Sequence, residues 1–313
     1  MVSTNELLQF LKGSLKLGEP LAPYTSFRIG GPADYFIEPL SREDLLNVIR
    51  YFRENGYPFV VIGNGTNILV SDQGFRGAVI NLESGLVEVR VERDATNAGR
   101  PSLVYAEAGV RLGRLVDHCI QRSLGGLEML AGIPGTLGGA VVMNAGAFGG
   151  TIADHLARVE VVRDDRTQWV TKEDAGFSYR ASGLGRDIVL AATFHLPVRE
   201  RDSLVRARRE MLTRRNETQP VNLPHVGSIF KNPAGGHAAG FIEGAGLKGW
   251  RIGGAHISPR HANFIVNDGA ATAGDVLALI RSVQQAVKEK FNLMLDPELK
   301  FIGFEEHALR EVA

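Results

Sequence analysis

The spacing of apolar positions divides the chain into short predicted strands and a few amphipathic helices. Residues 41–52 carry apolar side chains at helical spacing, and Ser41 and Asp44 occupy capping-box positions at the start of this segment. Residues 58–62 and 68–70 are continuously apolar, which predicts two buried strands around a glycine-containing loop. The same criteria predict a helix at 112–122 and strands at 78–82, 87–91, 103–108, 158–162 and 188–196. This part of the chain therefore predicts an α+β fold.

The pattern changes near residue 200. Residues 201–215 are polar and strongly basic with few apolar positions, which predicts an exposed linking helix. We place a domain boundary just before this helix. Apolar side chains on one face of residues 274–291 predict a last helix, and the segment 297–302 follows it.

Charge and cysteine content narrow the class of protein. Thirty-five Lys and Arg residues balance thirty-five Asp and Glu residues, so no overall field draws the chain to nucleic acid or to an anionic membrane. Cys119 is the only cysteine, which excludes an internal disulfide and a zinc site built on several thiolates. His256 and His261 lack the spacing of metal ligands on one helix turn, and we expect no metal. The sequence shows neither a signal peptide nor a membrane-spanning run, so we expect a cytoplasmic protein.

Glycine is frequent and clustered: the chain has 37 glycines, where an average content of about 7% would give about 22. The first cluster is the loop that follows residues 58–62. Its amides can face a pyrophosphate because glycine lacks the Cβ that would block the approach. The loop lacks the third glycine of a Rossmann motif and the lysine of a P-loop, so a plain turn is an equal alternative. It consists of Gly63, Asn64, Gly65, Thr66 and Asn67.

A second cluster of small residues occupies positions 132–147. Such a segment can lie flat against a cofactor while its amides and the Thr136 hydroxyl donate to phosphate oxygens. Two such loops in one domain indicate a dinucleotide, and the alternative is a small-residue helix start packed against a sheet. The candidate cofactor residues here are Gly132, Pro134, Gly135, Thr136, Gly138, Gly139, Asn144, Ala145 and Gly146.

Longer motifs extend in order over almost the whole chain. They are residues 25–33, 63–67, 130–139, 144–147, 179–180, 220–223, 227–233, 239–243, 261–264 and 297–298. These motifs resemble those of the UDP-N-acetylenolpyruvoylglucosamine reductases. Within that family the chain resembles the shorter form, because no added loop with a tyrosine follows Tyr179-Arg180 to cover the substrate.

The resemblance implies an architecture and a reaction. It implies an FAD-binding domain of the vanillyl-alcohol-oxidase type and a smaller C-terminal α+β substrate domain, which we divide as residues 1–90, 91–199 and 200–313. Both glycine clusters would surround the FAD pyrophosphate. NADPH would reduce the flavin, and the flavin would reduce a UDP-sugar enolpyruvate to UDP-N-acetylmuramate, a precursor of the bacterial cell wall. We expect a monomer that binds neither nucleic acid nor membrane.

The resemblance also implies three catalytic residues. Arg180 would meet the substrate carboxylate, where charge builds as hydride arrives, since a guanidinium can donate two parallel hydrogen bonds. Ser228 would donate a proton to the adjacent carbon. Glu298 would either donate a hydrogen bond in its protonated form or orient Arg180 or a water as an anion. Without the resemblance, a surface ion pair, a turn and a solvated carboxylate are the better interpretations.

Substrate contacts are predicted at Tyr179, Lys231 and Asn232. Lys231 would stabilise the Ser228 alkoxide or hold the substrate, whereas Asn232 could equally cap a loop. His225 departs from the family pattern next to the serine, and it could affect the pH profile of protonation.

The basic run of residues 206–215 fits a solvated helix face better than a phosphate site. Two alternative functions remain, an FAD-dependent oxidase that uses molecular oxygen and a non-enzymatic flavin or sugar-nucleotide binding module.

Overall fold

The protein is described here by a computed structural model, in residues 2–92, 101–310 and 312. The helices are α1 (Thr4–Phe10), α2 (Arg42–Glu54), α3 (Leu112–Gln121), α4 (Leu137–Val142), α5 (Arg201–Thr218), α6 (Ala238–Gly244), α7 (Ala273–Phe291) and α8 (Glu306–Leu309), with single 3-10 turns at Ala22–Tyr24, Glu128–Leu130 and Ile152–Asp154. The strands are β1 (Ser14–Pro20), β2 (Pro32–Glu38), β3 (Phe59–Ile62), β4 (Ile68–Val70), β5 (Phe75–Asn81), β6 (Val89–Glu92), β7 (Ser102–Glu107), β8 (Gly146–Ala147), β9 (Gly150–Thr151), β10 (Leu156–Arg163), β11 (Arg166–Thr171), β12 (Ile188–Leu196), β13 (Arg251–Ile252), β14 (Ala255–Ile257), β15 (Ile265–Asn267) and β16 (Lys300–Ile302).

Two compact units divide the chain, and each takes several segments of it. Unit 1 comprises Met1–Leu15, Ile37–Asn64 and Val79–Arg215, and unit 2 comprises Lys16–Phe36, Gly65–Ala78 and Asn216–Ala313. Strands β1, β2, β5 and β3 form a four-stranded sheet in the order β1-β2-β5-β3. The division of the chain into residues 1–90, 91–199 and 200–313 stays a prediction.

Unit 1 is built on a five-stranded antiparallel sheet with the order β11-β10-β12-β7-β6. Its central strand β12 is buried at every position except His195, as expected for a continuously apolar run. Helix α4 packs on β7 and β12. A Cβ added to Gly138 would lie only 3.1 Å from the Cβ of Ala108, which is a tight contact. The small residues of α4 therefore let this helix approach the sheet closely.

Unit 2 combines two small sheets with the long helix α7. Strands β13, β14 and β15 form an antiparallel sheet, and β16 pairs in parallel with β4. Helix α7 buries Val276, Ile280, Val283 and Val287 in a core that also contains Phe27 and Phe230. Thr272 and Asp275 form a capping box at its start, which fixes where the helix begins.

Most of the predicted elements are confirmed. The helices predicted at 41–52, 112–122, 201–215 and 274–291 and the strands predicted at 68–70 and 188–196 are present within a few residues of their expected ends. At α2 the Ser41 hydroxyl accepts the Asp44 amide as predicted. The expected capping box is nevertheless incomplete. The Asp44 carboxylate instead accepts hydrogen bonds from the backbone amides of Lys12, Gly13 and Leu40, and so connects residues 12–13 to the start of the helix.

The basic helix α5 is largely exposed, as predicted, and a few of its side chains pack on unit 1. Its Leu204 is buried, and Arg208 pairs with Asp117 of α3 at 2.7 Å. Leu212 and Arg215 lie against Gly132, and burial lowers the pKa of the Arg215 guanidinium. None of the described helices has the length and apolar content needed to cross a membrane.

Candidate active site

The two glycine clusters meet at Gly63 and Thr136 in unit 1. A Cβ on Gly63 would overlap the Thr136 hydroxyl, so only glycine permits this approach. The Gly63 carbonyl accepts a hydrogen bond from the Asn81 amide at 3.2 Å, and the Asn64 side chain donates to Glu83 at 3.0 Å. Buried Thr136 begins α4, but its hydroxyl does not cap that helix.

The glycines of the second cluster do not share one role. The Gly138 amide donates to the Ala108 carbonyl at 2.8 Å, so Gly138 serves the packing of α4 on the sheet. Gly135 accepts the Leu112 amide at 3.0 Å, and Gly146 pairs with Thr151. Gly139 is exposed, and a Cβ there would meet no atom within 4 Å. Gly139 thus has no packing reason to be a glycine.

Asn144 joins the second cluster to the turn that carries Tyr179 and Arg180. Its side-chain nitrogen donates to the Ser178 carbonyl at 2.8 Å, while its side-chain oxygen is buried and makes no hydrogen bond to the described protein atoms. Asn144 has a φ of 43°, a left-handed conformation that asparagine tolerates better than most residues. The neighbouring Ala145 donates its amide to Ala140 at 2.8 Å. A buried acceptor without a donor is the feature expected where a ligand completes the site.

Tyr179 and Arg180 form the tip of a tight turn closed by hydrogen bonds between Ser178 and Ala181. Arg180 has a φ of 55°, and its guanidinium lies 5.4 Å from the centre of the Tyr179 ring. Tyr179 is half exposed. An arginine with a left-handed backbone conformation is uncommon, and backbone strain of this kind is concentrated at functional sites.

In unit 2 the end of the first glycine loop lies beside Glu298. The Asn67 side chain donates to the Glu298 carbonyl at 3.3 Å, and the Lys300 amide donates to the Asn67 carbonyl at 2.9 Å. Gly65 has a φ of 61°, and its carbonyl accepts the Ser26 amide at 3.0 Å. The parallel pairing of β16 with β4 holds this arrangement in register.

Ser228 lies in the motif of residues 227–233, called here the serine segment, which pairs with the chain around Glu298. The Glu298 amide donates to the Ile229 carbonyl at 2.7 Å, and Phe230 pairs with Pro297. The structure therefore brings two of the three predicted catalytic residues to neighbouring backbone positions. Arg180 belongs to unit 1, and its convergence with Ser228 and Glu298 stays a prediction.

The other predicted substrate residues in unit 2 have partners within the protein. The Lys231 ammonium lies 3.4 Å from the Asp296 carboxylate. An exposed pair of this kind contributes about 0.2–1 kcal/mol, so a ligand can displace it. The Asn232 side-chain oxygen accepts the Ala238 amide at the start of α6, which is the capping role named as its alternative.

Two histidines flank the Phe264 ring near the serine segment. The His225 Nδ1 accepts the amide of Gly227, the residue before Ser228, at 2.9 Å. The His261 Nδ1 accepts the Asn263 amide at 3.3 Å, and burial lowers the pKa of the His261 imidazole. Their rings lie 5.1 Å and 4.6 Å from the Phe264 ring.

Asn263 is a contact of the serine segment to which the sequence assigned no role. It is 3% exposed, and its side chain bonds to both backbone groups of Phe230. The sequence does offer one signal for Asn263, a polar residue inside the apolar run of residues 262–266. It indicates a buried amide that must find hydrogen-bond partners.

Comparison with known proteins assigns the class and then the family. A model of an FAD-binding domain family matches residues 33–172, and a model of the C-terminal domain of UDP-N-acetylenolpyruvoylglucosamine reductase matches residues 219–302. The chain is thus an FAD-dependent oxidoreductase with an FAD-binding domain and a smaller C-terminal domain, and the predicted fold class is confirmed.

Relatives along the whole chain give the family. The UDP-N-acetylenolpyruvoylglucosamine reductase of Chloroherpeton thalassium is 44% identical over 98% of this chain and 99% of its own. The reductase of Caldanaerobacter subterraneus is 44% identical over 96% and 98%. The crystal structure of the Thermus caldophilus reductase, 36% identical, covers 94% of this chain and 100% of its own with a TM-score of 0.76. The chain belongs to the UDP-N-acetylenolpyruvoylglucosamine reductase family.

Proposed function

We propose that this protein uses NADPH, through bound FAD, to reduce UDP-N-acetylglucosamine enolpyruvate to UDP-N-acetylmuramate. The observation that carries the proposal is the backbone pairing of the Ser228 segment with Glu298, beside Asn67 of the first glycine loop. It supports a site in which Ser228 and Glu298 act beside a loop that is predicted to hold the cofactor. The cytoplasmic location and the monomeric state remain predictions from the sequence.

The residues of unit 1 fit an FAD. The buried Asn144 oxygen accepts no hydrogen bond from the described protein atoms, and Gly139 leaves open space above α4. Gly63 and Thr136 bring the two glycine clusters into contact, as the recognition of one pyrophosphate by both would require. We therefore assign FAD contacts to Gly63, Thr136, Gly139 and Asn144, and bound FAD supplies a hydride for the substrate double bond.

Arg180 holds the substrate carboxylate in this proposal. The enolpyruvyl double bond is conjugated to that carboxylate, so addition of hydride at the terminal carbon moves an electron pair toward the carboxyl group. A guanidinium already placed there stabilises the transition state more than the ground state. The turn at Ser178 and Ala181 supports such preorganisation, because its closing hydrogen bonds fix the arginine backbone.

Ser228 completes the reduction by donating its Oγ proton to the carbon next to the carboxylate. The double bond thus gains one hydride and one proton, and NADPH is the source of the two electrons. A serine hydroxyl is a weak acid, so the alkoxide that remains needs stabilisation and a new proton. Lys231 pairs weakly with Asp296, and it is the nearest cation to Ser228 along the chain for that role.

Glu298 has a backbone fixed on both sides, since its amide donates to Ile229 and its carbonyl accepts from Asn67. Its carboxyl can serve in two ways. In its protonated form it donates a hydrogen bond to the developing enolate, and as an anion it orients Arg180 or a water.

A two-stage anaerobic titration tests the proposed function. NADPH should bleach the flavin of the purified protein, and UDP-N-acetylglucosamine enolpyruvate should restore the colour while forming UDP-N-acetylmuramate. Oxygen is then supplied in place of the substrate as a comparison. Recolouring by oxygen at the rate seen with substrate, without product from the sugar nucleotide, would instead identify an oxidase. A protein purified without flavin that cannot be reconstituted would reject both enzymes.

The variant Gly139→Ala separates a cofactor role from a packing role. If Gly139 only shapes α4, alanine should stabilise the helix by about 1 kcal/mol, because its Cβ meets no protein atom. If FAD lies over Gly139, the added methyl should cost roughly 1–3 kcal/mol of binding, which is about 5- to 150-fold in Kd. We expect a folded, stable apoprotein with weakened FAD binding, measured by titration of the flavin absorbance.

Gly113→Ala is the matched control, because Gly113 lies in α3 and its Cβ would also meet open space. It should gain stability and keep the parent's Kd for FAD. A Gly139→Ala protein with unchanged FAD affinity would remove Gly139 from the cofactor site.

A further inference from the structure

The Asn263 side chain forms two hydrogen bonds to the backbone of Phe230 in the serine segment. Its side-chain nitrogen donates to the Phe230 carbonyl at 2.8 Å, and its side-chain oxygen accepts the Phe230 amide at 3.0 Å. Its own backbone carbonyl accepts the Ile229 amide at 2.9 Å. One buried residue therefore satisfies three of the four backbone polar groups of Ile229 and Phe230, the two residues that follow Ser228.

The same segment is bonded to Glu298 through its remaining carbonyl. Ile229 donates its amide to Asn263 and accepts the Glu298 amide at 2.7 Å. The backbone of Ile229 is thus hydrogen-bonded on one side to Asn263 and on the other to Glu298. Gly227, just before Ser228, has a φ of 83° and lies outside any described helix or strand. The position of Ser228 therefore depends on bonds that its neighbours make, and most of these come from Asn263.

The two side-chain bonds need a donor and an acceptor at fixed positions, which an amide supplies. A carboxylate accepts but does not donate, and an aliphatic side chain does neither, whereas asparagine supplies one acceptor and two donors. His261 also supports the arrangement, because its Nδ1 accepts a hydrogen bond from the Asn263 backbone amide at 3.3 Å. The geometry of Asn263 is consequently fixed by bonds at its amide, its carbonyl and both side-chain atoms.

We propose that Asn263 is a positioning residue that holds Ser228 at a fixed register against Glu298 for the protonation step. This inference rests on the proposed function, in which Ser228 is the proton donor. Asn263 acts only through the backbone of Ile229 and Phe230. Its loss should displace the hydroxyl without touching flavin reduction, and a displacement of about 1 Å costs roughly 10²-fold in rate.

Asn267 provides a matched control four positions further along the chain. It is also 3% exposed, and its side chain likewise bonds to backbone on both sides. Its nitrogen donates to Phe27 at 2.8 Å, and its oxygen accepts the amides of Gly269 and Ala271 at 2.7 Å and 3.0 Å. Replacing either asparagine with alanine removes a buried amide, but of the two side chains only that of Asn263 is bonded to Phe230.

The test compares Asn263→Ala and Asn267→Ala in the two half-reactions of the FAD-loaded protein. We expect both variants to lower Tm and both to keep the parent's rate of flavin reduction by NADPH. Only Asn263→Ala should slow reoxidation by the enolpyruvyl substrate, by about 10²-fold. Its rate ratio between H₂O and D₂O should also rise, because proton transfer becomes slower relative to the other steps. Amide exchange at Ile229, Phe230 and Glu298 should quicken in this variant without any substrate present.

Equal slowing of the substrate half-reaction in both variants, or the parent's rate in Asn263→Ala, would overturn the positioning role. If Asn263→Ala does not fold, Asn263→Asp carries the same comparison, because it keeps the shape and loses the donor. A parent protein that NADPH bleaches but the enolpyruvyl substrate does not recolour would overturn the proposed function itself. A parent that recolours while Asn263→Ala keeps its rate would overturn only the role of Asn263.

Discussion

Replacing Ser228 with alanine is expected to slow flavin reoxidation by the enolpyruvyl substrate by about 10²–10⁴-fold, the usual contribution of a positioned acid. Flavin reduction by NADPH should keep its rate, because the hydroxyl takes no part in that half. The removal of one oxygen from a half-exposed loop position should leave Tm close to the parent's. Anaerobic stopped-flow absorbance measures the two halves separately.

Ser282→Ala is the matched control, since the Ser282 hydroxyl bonds to the Ala278 carbonyl of its own helix at 2.9 Å. This variant should keep both rates. A Ser228→Ala protein that turns over the substrate at the parent's rate would show that another group, or water, delivers the proton.

The second large effect is expected from Arg180→Lys. Lysine keeps the positive charge and must adopt the same left-handed backbone conformation as Arg180. It lacks the two parallel donors with which a guanidinium binds a carboxylate. Loss of a donor aimed at developing charge typically costs about 10²–10³-fold. We therefore expect kcat for the substrate half-reaction to fall by that factor, with flavin reduction unchanged.

Arg186→Lys serves as its control, because Arg186 is exposed six positions further along the same unit. It should behave as the parent in both halves. An Arg180→Lys protein with a raised KM and the parent's kcat would assign Arg180 to substrate binding alone, because the lost interaction would then be equally strong before and during the reaction.

The sequence predicted best those elements whose local pattern agrees with their burial. Strand β12 is a continuous apolar run and is buried along almost its whole length, so its limits were predicted as observed. Strand β11 was missed because it is an edge strand exposed at all positions but one, with no apolar run to reveal it. Helix α6 was missed because its seven residues include two glycines and are too few for a helical period.

The candidate site was predictable where a motif is continuous in the chain. The loop at Gly63 and the serine segment were found in this way, and the structure places Asn67 and Ile229 in contact with Glu298. The polar Asn263 stands out within an apolar run, but its partners were not predictable, because they lie 33 positions away and leave no local pattern. For the same reason, the separate roles of Gly138 and Gly139 emerged only from what surrounds each Cβ position.

The order in which unit 2 receives its segments has a consequence for protein synthesis. Asn67 bonds to a residue 231 positions later, and Phe27 to one 240 positions later. A chain leaving the ribosome therefore carries Asn67 and Phe27 without these partners until residues 267 and 298 have been made. Apolar side chains such as Phe27 and Leu69 stay exposed to solvent throughout that interval, which favours aggregation and binding by chaperones. Unit 1 ends at Arg215 and has no such delay, so it can fold first.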